Sequence, residues 1–157
     1  MSRVALHPVE AADLDAIFEQ MRDPESVRMA AFTAEDPSDR GAFDAHIAKI
    51  MSMDDVTFQA ILCDSQLVGT IGRFLSEGVT EVTYWIDRSR WGQGIATRAL
   101  DLLLAEIPVR PIRARVASDN VASLKVLQKA GFRPIGTEVS FASGRAADIE
   151  ETILELA

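Results

Sequence analysis

The sequence has few of the residues that build disulfides, metal sites and nucleic-acid interfaces. Among its 157 residues there are one cysteine and two histidines, and 16 lysines and arginines stand against 24 aspartates and glutamates. A single cysteine excludes an internal disulfide, and isolated histidines without partners at ligand spacing predict no metal. A formal charge of −8 argues against a nucleic-acid partner, whose binding depends on lysine and arginine. Solubility is the simplest explanation of this charge, and a cationic partner is the alternative.

Long hydrophobic runs are also missing. No apolar run approaches the roughly twenty residues that cross a membrane, and the N-terminus, MSRVALHPVE, has no signal-peptide core. We therefore predict a cytoplasmic protein with no membrane partner. With 48% hydrophobic residues the chain has enough apolar surface for a core, so we expect one domain over residues 1–157. Cys63 follows two aliphatic residues and is predicted to be a buried strand residue.

The apolar spacing predicts an α/β fold. Helices are predicted over residues 10–22, 97–106 and 121–129, with another beginning after Ser38. Strands are predicted over residues 4–6, 57–63, 67–75, 81–86, 112–116, 133–141 and 147–156. Pro24 is expected to end the first helix, so residues 23–39 are predicted to contain no helix before Ser38. Helix 97–106 is apolar nearly all round, which predicts that it is covered on most sides.

The most informative segment is WGQGIAT, residues 91–97, between a predicted strand and a predicted helix. A helix N-terminus presents backbone NH groups without intrahelical partners and the positive end of the helix dipole, so it favours an anion. Gly92 and Gly94 would let a phosphate approach the main chain, and Ala96 keeps the first helical turn small. An ordinary turn is the alternative interpretation.

Two other phosphate-binding motifs fit this segment less well. A P-loop requires lysine and then serine or threonine after its last glycine, where Ile95 and Ala96 stand. A dinucleotide fingerprint requires a third glycine and an acidic residue at the end of the next strand, roughly twenty residues on. Asp119 has about that spacing but precedes a helix.

The loop resembles the acetyl-CoA loop of the GNAT superfamily of N-acetyltransferases. That loop has Arg or Gln, two residues, Gly, one residue, then Gly or Ala; here Trp91, Gly94 and Ala96 hold those positions. An aromatic residue in place of Arg or Gln is similar to the RimJ/RimL-like branch. The preceding run EVTYWID also resembles that branch, with Thr83 in place of its usual glycine.

A second motif downstream supports the same resemblance, which covers essentially the whole chain. Asn120, Ser123 and the Gly131-Phe132 pair match the helix that follows in the family. The resemblance implies a mixed, mostly antiparallel sheet, splayed between the strands before and after the loop helix, with helices on both faces. It also implies direct transfer from acetyl-CoA, a co-substrate, to an amine, without a metal.

The family also implies which residues bind the cofactor. The pyrophosphate would rest on backbone NH groups of the loop, and pantetheine would lie in the gap of the sheet beside backbone near Trp85 and Ile86 and be held by the amide of Asn120. The predicted cofactor-binding residues are Trp85, Ile86, Trp91, Gly92, Gln93, Gly94, Ile95, Ala96, Thr97 and Asn120.

Two catalytic residues follow from the resemblance. Glu81 is the candidate base that takes a proton from the amine through a water, and an exposed strand-end carboxylate without a role is the alternative. Many GNAT enzymes place a tyrosine where this chain has Leu127, which cannot donate a proton. Ser123 is therefore the candidate that stabilises the departing thiolate by a hydrogen bond, and a helix-face serine is the alternative.

The acceptor stays open between a protein N-terminal amine, as in RimJ/RimL-type enzymes, and a small-molecule amine. GNAT acceptors enter between the N-terminal helices and the last strands, which places residues 29–32 and 35–39 near the entrance. Tyr84 and Trp85 alternate on a strand, so at least one of them is expected in the core. A GNAT-fold module that binds acetyl-CoA with little catalysis is the rival function. We expect a monomer or a homodimer.

Overall fold

The computed structural model describes residues 3–157 and is built on one seven-stranded sheet. The strands are β1 (Val4–Pro8), β2 (Thr57–Cys63), β3 (Gln66–Ser76), β4 (Val79–Ile86), β5 (Ile112–Ala117), β6 (Arg133–Ala142) and β7 (Ala147–Leu156). They lie in the order β1-β2-β3-β4-β5-β7-β6. Only β4 and β5 are parallel neighbours, so the predicted mixed, mostly antiparallel sheet is confirmed. Residues 1 and 2 of the predicted domain lie outside the described residues.

Residues 3–157 contain five α-helices and two short 3-10 turns. The helices are α1 (Leu14–Met21), α2 (Pro24–Ala30), α3 (Arg40–Met51), α4 (Ile95–Ala105) and α5 (Val121–Lys129), and the 3-10 turns are Ala11–Asp13 and Arg88–Arg90. Helix α5 has the predicted bounds. Helix α4 begins two residues before its predicted start at Thr97, because Gly94 is already its N-cap. None of these helices is long and apolar enough to cross a membrane.

The prediction that residues 23–39 contain no helix before Ser38 is wrong, because α2 lies there. Pro24 takes the first position of α2, where a missing NH costs nothing and the fixed φ angle suits a helix. The carboxylate of Asp23 accepts a hydrogen bond from the backbone N of Ser26 at 3.0 Å and caps the helix. One proline therefore follows the end of α1 and begins α2.

Helices cover both faces of the sheet, as predicted. On β2, Ile61 and Cys63 pack into the larger core with residues of α4 and α5, whereas Ala60 packs with Ile17 of α1 on the other face. Cys63 is buried, as expected. This alternation follows from the two-residue period of a strand, and it separates the side of α4 and α5 from the side of α1.

Helix α4 is covered less completely than its composition predicts. Ala99, Leu100 and Leu103 are buried against the sheet, but Leu102 keeps 41% of its surface exposed. The expectation of cover on most sides is therefore wrong for one face. The buried residues follow the three- and four-residue spacing of a helix with a single packed side.

The turn between β6 and β7 packs on the C-terminal end of α2. The backbone N of Gly144 donates to the carbonyl oxygen of Ala31 at 2.8 Å. A Cβ atom at position 144 would lie 2.8 Å from that same oxygen and closer still to the carbonyl of Val27, so this approach requires glycine. The neighbouring Arg145 donates two hydrogen bonds to the carboxylate of Asp119, at 2.7 and 2.9 Å. The turn thus connects α2 to the start of α5.

Candidate active site

Strands β4 and β5 part after a very short contact. Their register contains only Thr80 beside Ile112 and Glu81 beside Arg113, whereas β4 pairs with β3 along its whole length. Toward its end at Ile86, β4 therefore leaves β5. This parting is the splay that the family resemblance predicts.

A cavity of about 570 Å³ lies at this parting. Four parts of the chain line it: the end of β4, the glycine loop with the first turn of α4, the first turn of α5, and α2. The lining residues are Ser26, Met29, Ala30, Tyr84, Trp85, Ile86, Arg90, Trp91, Gly92, Gln93, Gly94, Ile95, Ala96, Thr97, Asp119, Asn120, Val121, Ala122, Ser123 and Val126. All ten residues of the predicted cofactor-binding set are among them. The structure thus brings together the residues that sequence reasoning grouped, although their roles stay predictions.

The glycine loop has the backbone geometry of a helix N-terminus that faces open space. Gly92 and Gly94 have φ angles of +78° and +75°, a region that favours glycine. A Cβ atom at either position would meet nothing within 4 Å. Gly94 caps α4, so the first NH groups of the helix point past it toward the cavity. This arrangement fits a bulky anion such as a pyrophosphate.

Trp91 fastens the loop to the end of β4. Its indole Nε1 donates a hydrogen bond to the carbonyl oxygen of Ile86 at 2.9 Å, while the residue as a whole keeps 40% of its surface exposed. The carbonyl of Ile86 therefore already has a donor on the side where pantetheine is expected to lie.

The first turn of α5 presents Asn120 and Ser123 to the cavity. The Oδ1 atom of Asn120 accepts from the backbone N of Ser123 at 3.2 Å, which makes Asn120 the N-cap of α5. The Oγ atom of Ser123 lies 2.6 Å from the hydroxyl of Tyr84 on β4. Leu127, one turn further along the helix, has 0% exposure and belongs to the core.

The two aromatic residues of β4 extend to opposite faces of the sheet, as their alternation predicts. The hydroxyl of Tyr84 reaches α5, whereas the indole Nε1 of Trp85 donates to the carbonyl oxygen of Gln20 in α1 at 3.1 Å. Burial raises the pKa of the Tyr84 hydroxyl above its ordinary value, although the hydrogen bond with Ser123 opposes this. Tyr84 is therefore a neutral hydrogen-bonding group at the cavity wall.

Glu81 lies at the last position where β4 pairs with β5, and its surroundings differ from those of an exposed strand-end carboxylate. It has 7% exposure, so it is not an exposed strand-end carboxylate. Its Oε1 atom accepts from Nε of Arg115 at 3.1 Å. Glu81 does not line the 570 Å³ cavity. A proton from that cavity would reach Glu81 only through an intervening group, such as the water expected between the amine and this carboxylate.

Arg115 of β5 is a residue that sequence reasoning missed. Its guanidinium also donates from Nη1 to Glu138 at 2.9 Å and to Glu151 at 3.3 Å, so three carboxylates surround one cation. Burial raises the pKa of the Glu151 carboxyl, and Arg115 partly opposes that rise. The available signal was the alternation of Arg113 and Arg115 with apolar residues, which places both arginines on one face of a strand.

The segments expected near the acceptor entrance are only partly at the cavity. Met29 lines it, whereas the carboxylates of Asp36 and Asp39 accept from the backbone N of Ser38 and Ala42, respectively. Those two acidic residues have local structural roles. In the part of the chain that the structure describes, no group of three or more His, Cys, Asp or Glu residues could hold a metal ion.

Comparison with known proteins gives the family. The model of the acetyltransferase (GNAT) domain matches residues 3–133, which is most of the chain. The chain belongs to the GNAT acetyltransferase family. Among relatives, this acetyltransferase is 24% identical to the uncharacterized N-acetyltransferase p20 of Bacillus licheniformis, over 94% of this chain and 89% of that protein.

Two solved structures share the fold. Mycobacterium smegmatis RimJ, in complex with CoA-disulfide, superposes with a TM-score of 0.82 at 22% identity, over 98% of this chain and 81% of RimJ. A phosphinothricin acetyltransferase from Sinorhizobium meliloti, in complex with acetyl-CoA, gives a TM-score of 0.80 at 18% identity, over 97% and 86%. The predicted resemblance to the GNAT superfamily, including RimJ-like enzymes, is confirmed at the level of the fold.

Proposed function

We propose that this GNAT protein transfers the acetyl group of acetyl-CoA directly to a primary amine. The observation that carries the proposal is the cavity at the parting of β4 and β5, which is lined by both the glycine loop and the first turn of α5. The glycine loop offers backbone NH groups that can bind a pyrophosphate, and the first turn of α5 offers a hydrogen-bond donor to a thioester sulfur. The pyrophosphate and the thioester of one extended cofactor therefore both have partners in a single cavity.

The loop residues fit a pyrophosphate. Backbone NH groups from Gln93 to Thr97 lie at the N-terminus of the 11-residue helix α4, and Gly94 leaves the space above them open. The aligned peptide dipoles add a positive potential that favours an anion there. Pantetheine is proposed to lie along β4 beside Trp85 and to share the carbonyl of Ile86 with the Trp91 indole.

Glu81 is the proposed base. An ammonium group has no lone pair, so the acceptor must lose a proton before its nitrogen attacks the thioester carbon. Arg115 fixes the Glu81 carboxylate in one position at the parting of the strands. A water between the amine and Glu81 would carry the proton, because Glu81 itself lies outside the cavity lining.

Ser123 is the proposed partner of the leaving sulfur. Its hydroxyl lies in the cavity wall at the first turn of α5, where the helix dipole also favours negative charge. A serine hydroxyl is a weak acid, so we propose that it stabilises the thiolate by a hydrogen bond rather than by complete proton transfer.

The acceptor class is a primary amine of a peptide N-terminus or of a small molecule. Met29 and Ala30 place α2 at the cavity wall, on the side where GNAT acceptors enter. The formal charge of −8 favours an acceptor that arrives as a cation over one that is an anion.

Thermal unfolding with and without acetyl-CoA tests the binding half of the proposal, with NADH and ATP as controls. A ligand at about a hundred times its dissociation constant adds roughly 2.7 kcal/mol to the free energy of unfolding, which raises Tm by a few degrees. A shift with acetyl-CoA alone supports the site, and release of free CoA with amines or N-terminal peptides then tests transfer. No shift with acetyl-CoA would contradict the proposal.

A catalytically weak acetyl-CoA-binding module is the second candidate. Leu127 stands fully buried where many GNAT enzymes have their tyrosine, and this observation favours the module. This alternative predicts the same rise in Tm with acetyl-CoA. It also predicts that no amine or peptide in a broad set raises the rate of CoA release above the rate without amine.

A further inference from the structure

A short side-chain contact in the cavity wall joins two hydroxyl groups. The hydroxyl oxygen of Tyr84 lies 2.6 Å from Oγ of Ser123 and 3.4 Å from the carbonyl oxygen of the same serine. Tyr84 is on β4 and Ser123 is on α5, so this pair spans the parting of the sheet. Both residues line the cavity.

We infer that Tyr84 is a positioning residue that holds the Ser123 hydroxyl as the donor to the CoA thiolate. The inference rests on the proposed acetyl transfer, in which Ser123 meets the sulfur. Tyr84 acts through Ser123.

A helical serine without such a partner tends to donate its proton backwards. Serine hydroxyls in helices commonly donate to a backbone carbonyl one turn earlier, and a proton donated there is not available to the sulfur. When Tyr84 donates to Oγ, it fills an acceptor position of Ser123 and leaves the serine proton free to point into the cavity. Hydrogen bonds in a row also polarise one another, which makes the serine a stronger donor.

Tyr84 is suited to the donor role because it remains protonated. A phenol is a stronger acid than an alcohol, so in a short pair of hydroxyls the tyrosine is the better donor. Burial raises its pKa, which keeps the proton on the phenol through the neutral range. Many GNAT enzymes have a tyrosine on this helix where the chain has the buried Leu127. Here Tyr84 of β4 brings a phenol to the first turn of α5 instead.

Acetyl transfer replaces the C–S bond of the thioester with a C–N bond. The amine nitrogen forms a bond to the carbonyl carbon, the C–S bond breaks, and its electron pair goes to sulfur. Two protons leave the nitrogen: the ammonium proton passes through water to Glu81 before the attack, and the second leaves to solvent as the amide forms. The thiolate accepts a hydrogen bond from Ser123, whose Oγ accepts one from Tyr84. Solvent later supplies the proton that makes free CoA thiol.

The test is a pH titration of the thiol of bound CoA, followed by the ultraviolet absorbance of the thiolate. It needs cofactor binding but no turnover. In Tyr84→Phe we expect the midpoint of this titration to rise by about half to one pH unit, a roughly three- to tenfold loss of thiolate at a fixed lower pH. Ser123→Ala should raise it at least as much, and the double variant no more than Ser123→Ala, because both act on one chain of hydrogen bonds.

The matched control is Thr152→Val. Thr152 makes a hydroxyl pair with Ser118 of the same 2.6 Å length, away from the cavity lining. Loss of this pair removes a comparable hydrogen bond without touching Ser123, so the midpoint should stay at the wild-type value. An unchanged midpoint in Tyr84→Phe, or an equal shift in Thr152→Val, would overturn the inference.

A second measurement avoids the substitution of Tyr84. Tyr84 is the sole tyrosine of the chain, so tyrosinate absorbance reports it alone. Bound CoA thiolate should raise the midpoint of Tyr84 ionisation, and Ser123→Ala should weaken this coupling; a midpoint independent of CoA overturns the inference. If CoA does not bind at all, the proposed function fails as well, and this outcome is distinct from binding without coupling.

Discussion

Arg115 donates from Nε to Oε1 of Glu81 across 3.1 Å, and this contact joins β5 to β4 at the last position where the two strands pair. The same guanidinium donates hydrogen bonds to Glu138 and Glu151. The candidate base is therefore one of three carboxylates that depend on a single cation. Removal of Glu81 and removal of Arg115 should have different consequences.

Glu81→Gln should lower the rate of acetyl transfer and leave acetyl-CoA affinity near that of the wild type. General-base catalysis contributes about a hundredfold or more, so we expect kcat to fall by about that factor. Steady-state kinetics and calorimetric titration measure the two quantities. The control is Glu138→Gln, which also loses an ion pair with Arg115 but lies at an exposed position. An unchanged kcat in Glu81→Gln would show that the base assignment is wrong.

Arg115→Met should destabilise the protein most at neutral pH. Without the guanidinium, three carboxylates repel one another, and the pKa of Glu151, already raised by burial, loses the opposing effect of Arg115. A carboxyl group whose pKa is higher in the folded state than in the unfolded state stabilises the fold when it is protonated. This stabilisation is fully present below the unfolded-state pKa and is lost as the pH rises through the folded-state pKa. Tm of the variant should therefore recover toward wild type as the pH falls from neutral through the raised pKa of Glu151. Arg113→Met, which breaks the single ion pair with Glu155, should show a smaller pH dependence.

Gly94→Ala should weaken acetyl-CoA binding. The φ angle of +75° strains any residue with a Cβ atom by about 1 kcal/mol or more, and the new methyl group would project into the open space above the loop. The matched control is Gly78→Ala in the turn between β3 and β4, where φ is +78° and the space is also open. Both variants should lose similar stability in denaturant, but only Gly94→Ala should lose affinity. Equal acetyl-CoA affinity in the two variants would show that the loop is not part of the cofactor site.

Gly144→Ala should separate the turn between β6 and β7 from α2. The added methyl group would lie 2.8 Å from the carbonyl oxygen of Ala31, and overpacking of this kind costs about 1–3 kcal/mol in the free energy of unfolding. Gly136→Ala in β6 has no atom within 4 Å of the new Cβ and serves as the control. Denaturant unfolding compares the two. A loss no larger than that of the control would contradict the packing described for this turn.

The sequence predicts the parts of the fold that depend on local patterns. Helix α5 was predictable because Asn120 caps it and Gly131 follows it, and the glycine loop because its residues are consecutive. Pro24 was ambiguous, since a proline suits both the end of one helix and the first position of the next. The surroundings of Arg115 depend on strands far apart in sequence, so no local pattern contains them.

The short contact of β4 with β5 has a consequence for the dynamics of the sheet. A sheet ordinarily has two free edges, but this one also has an internal edge beyond Glu81, where β4 has left β5. Backbone amides at such an edge exchange with solvent more readily than those inside a ladder. If pantetheine fills the gap, the cofactor completes the sheet, and amide hydrogen exchange near Trp85 should slow when acetyl-CoA is added. The substrate would then act as a temporary strand.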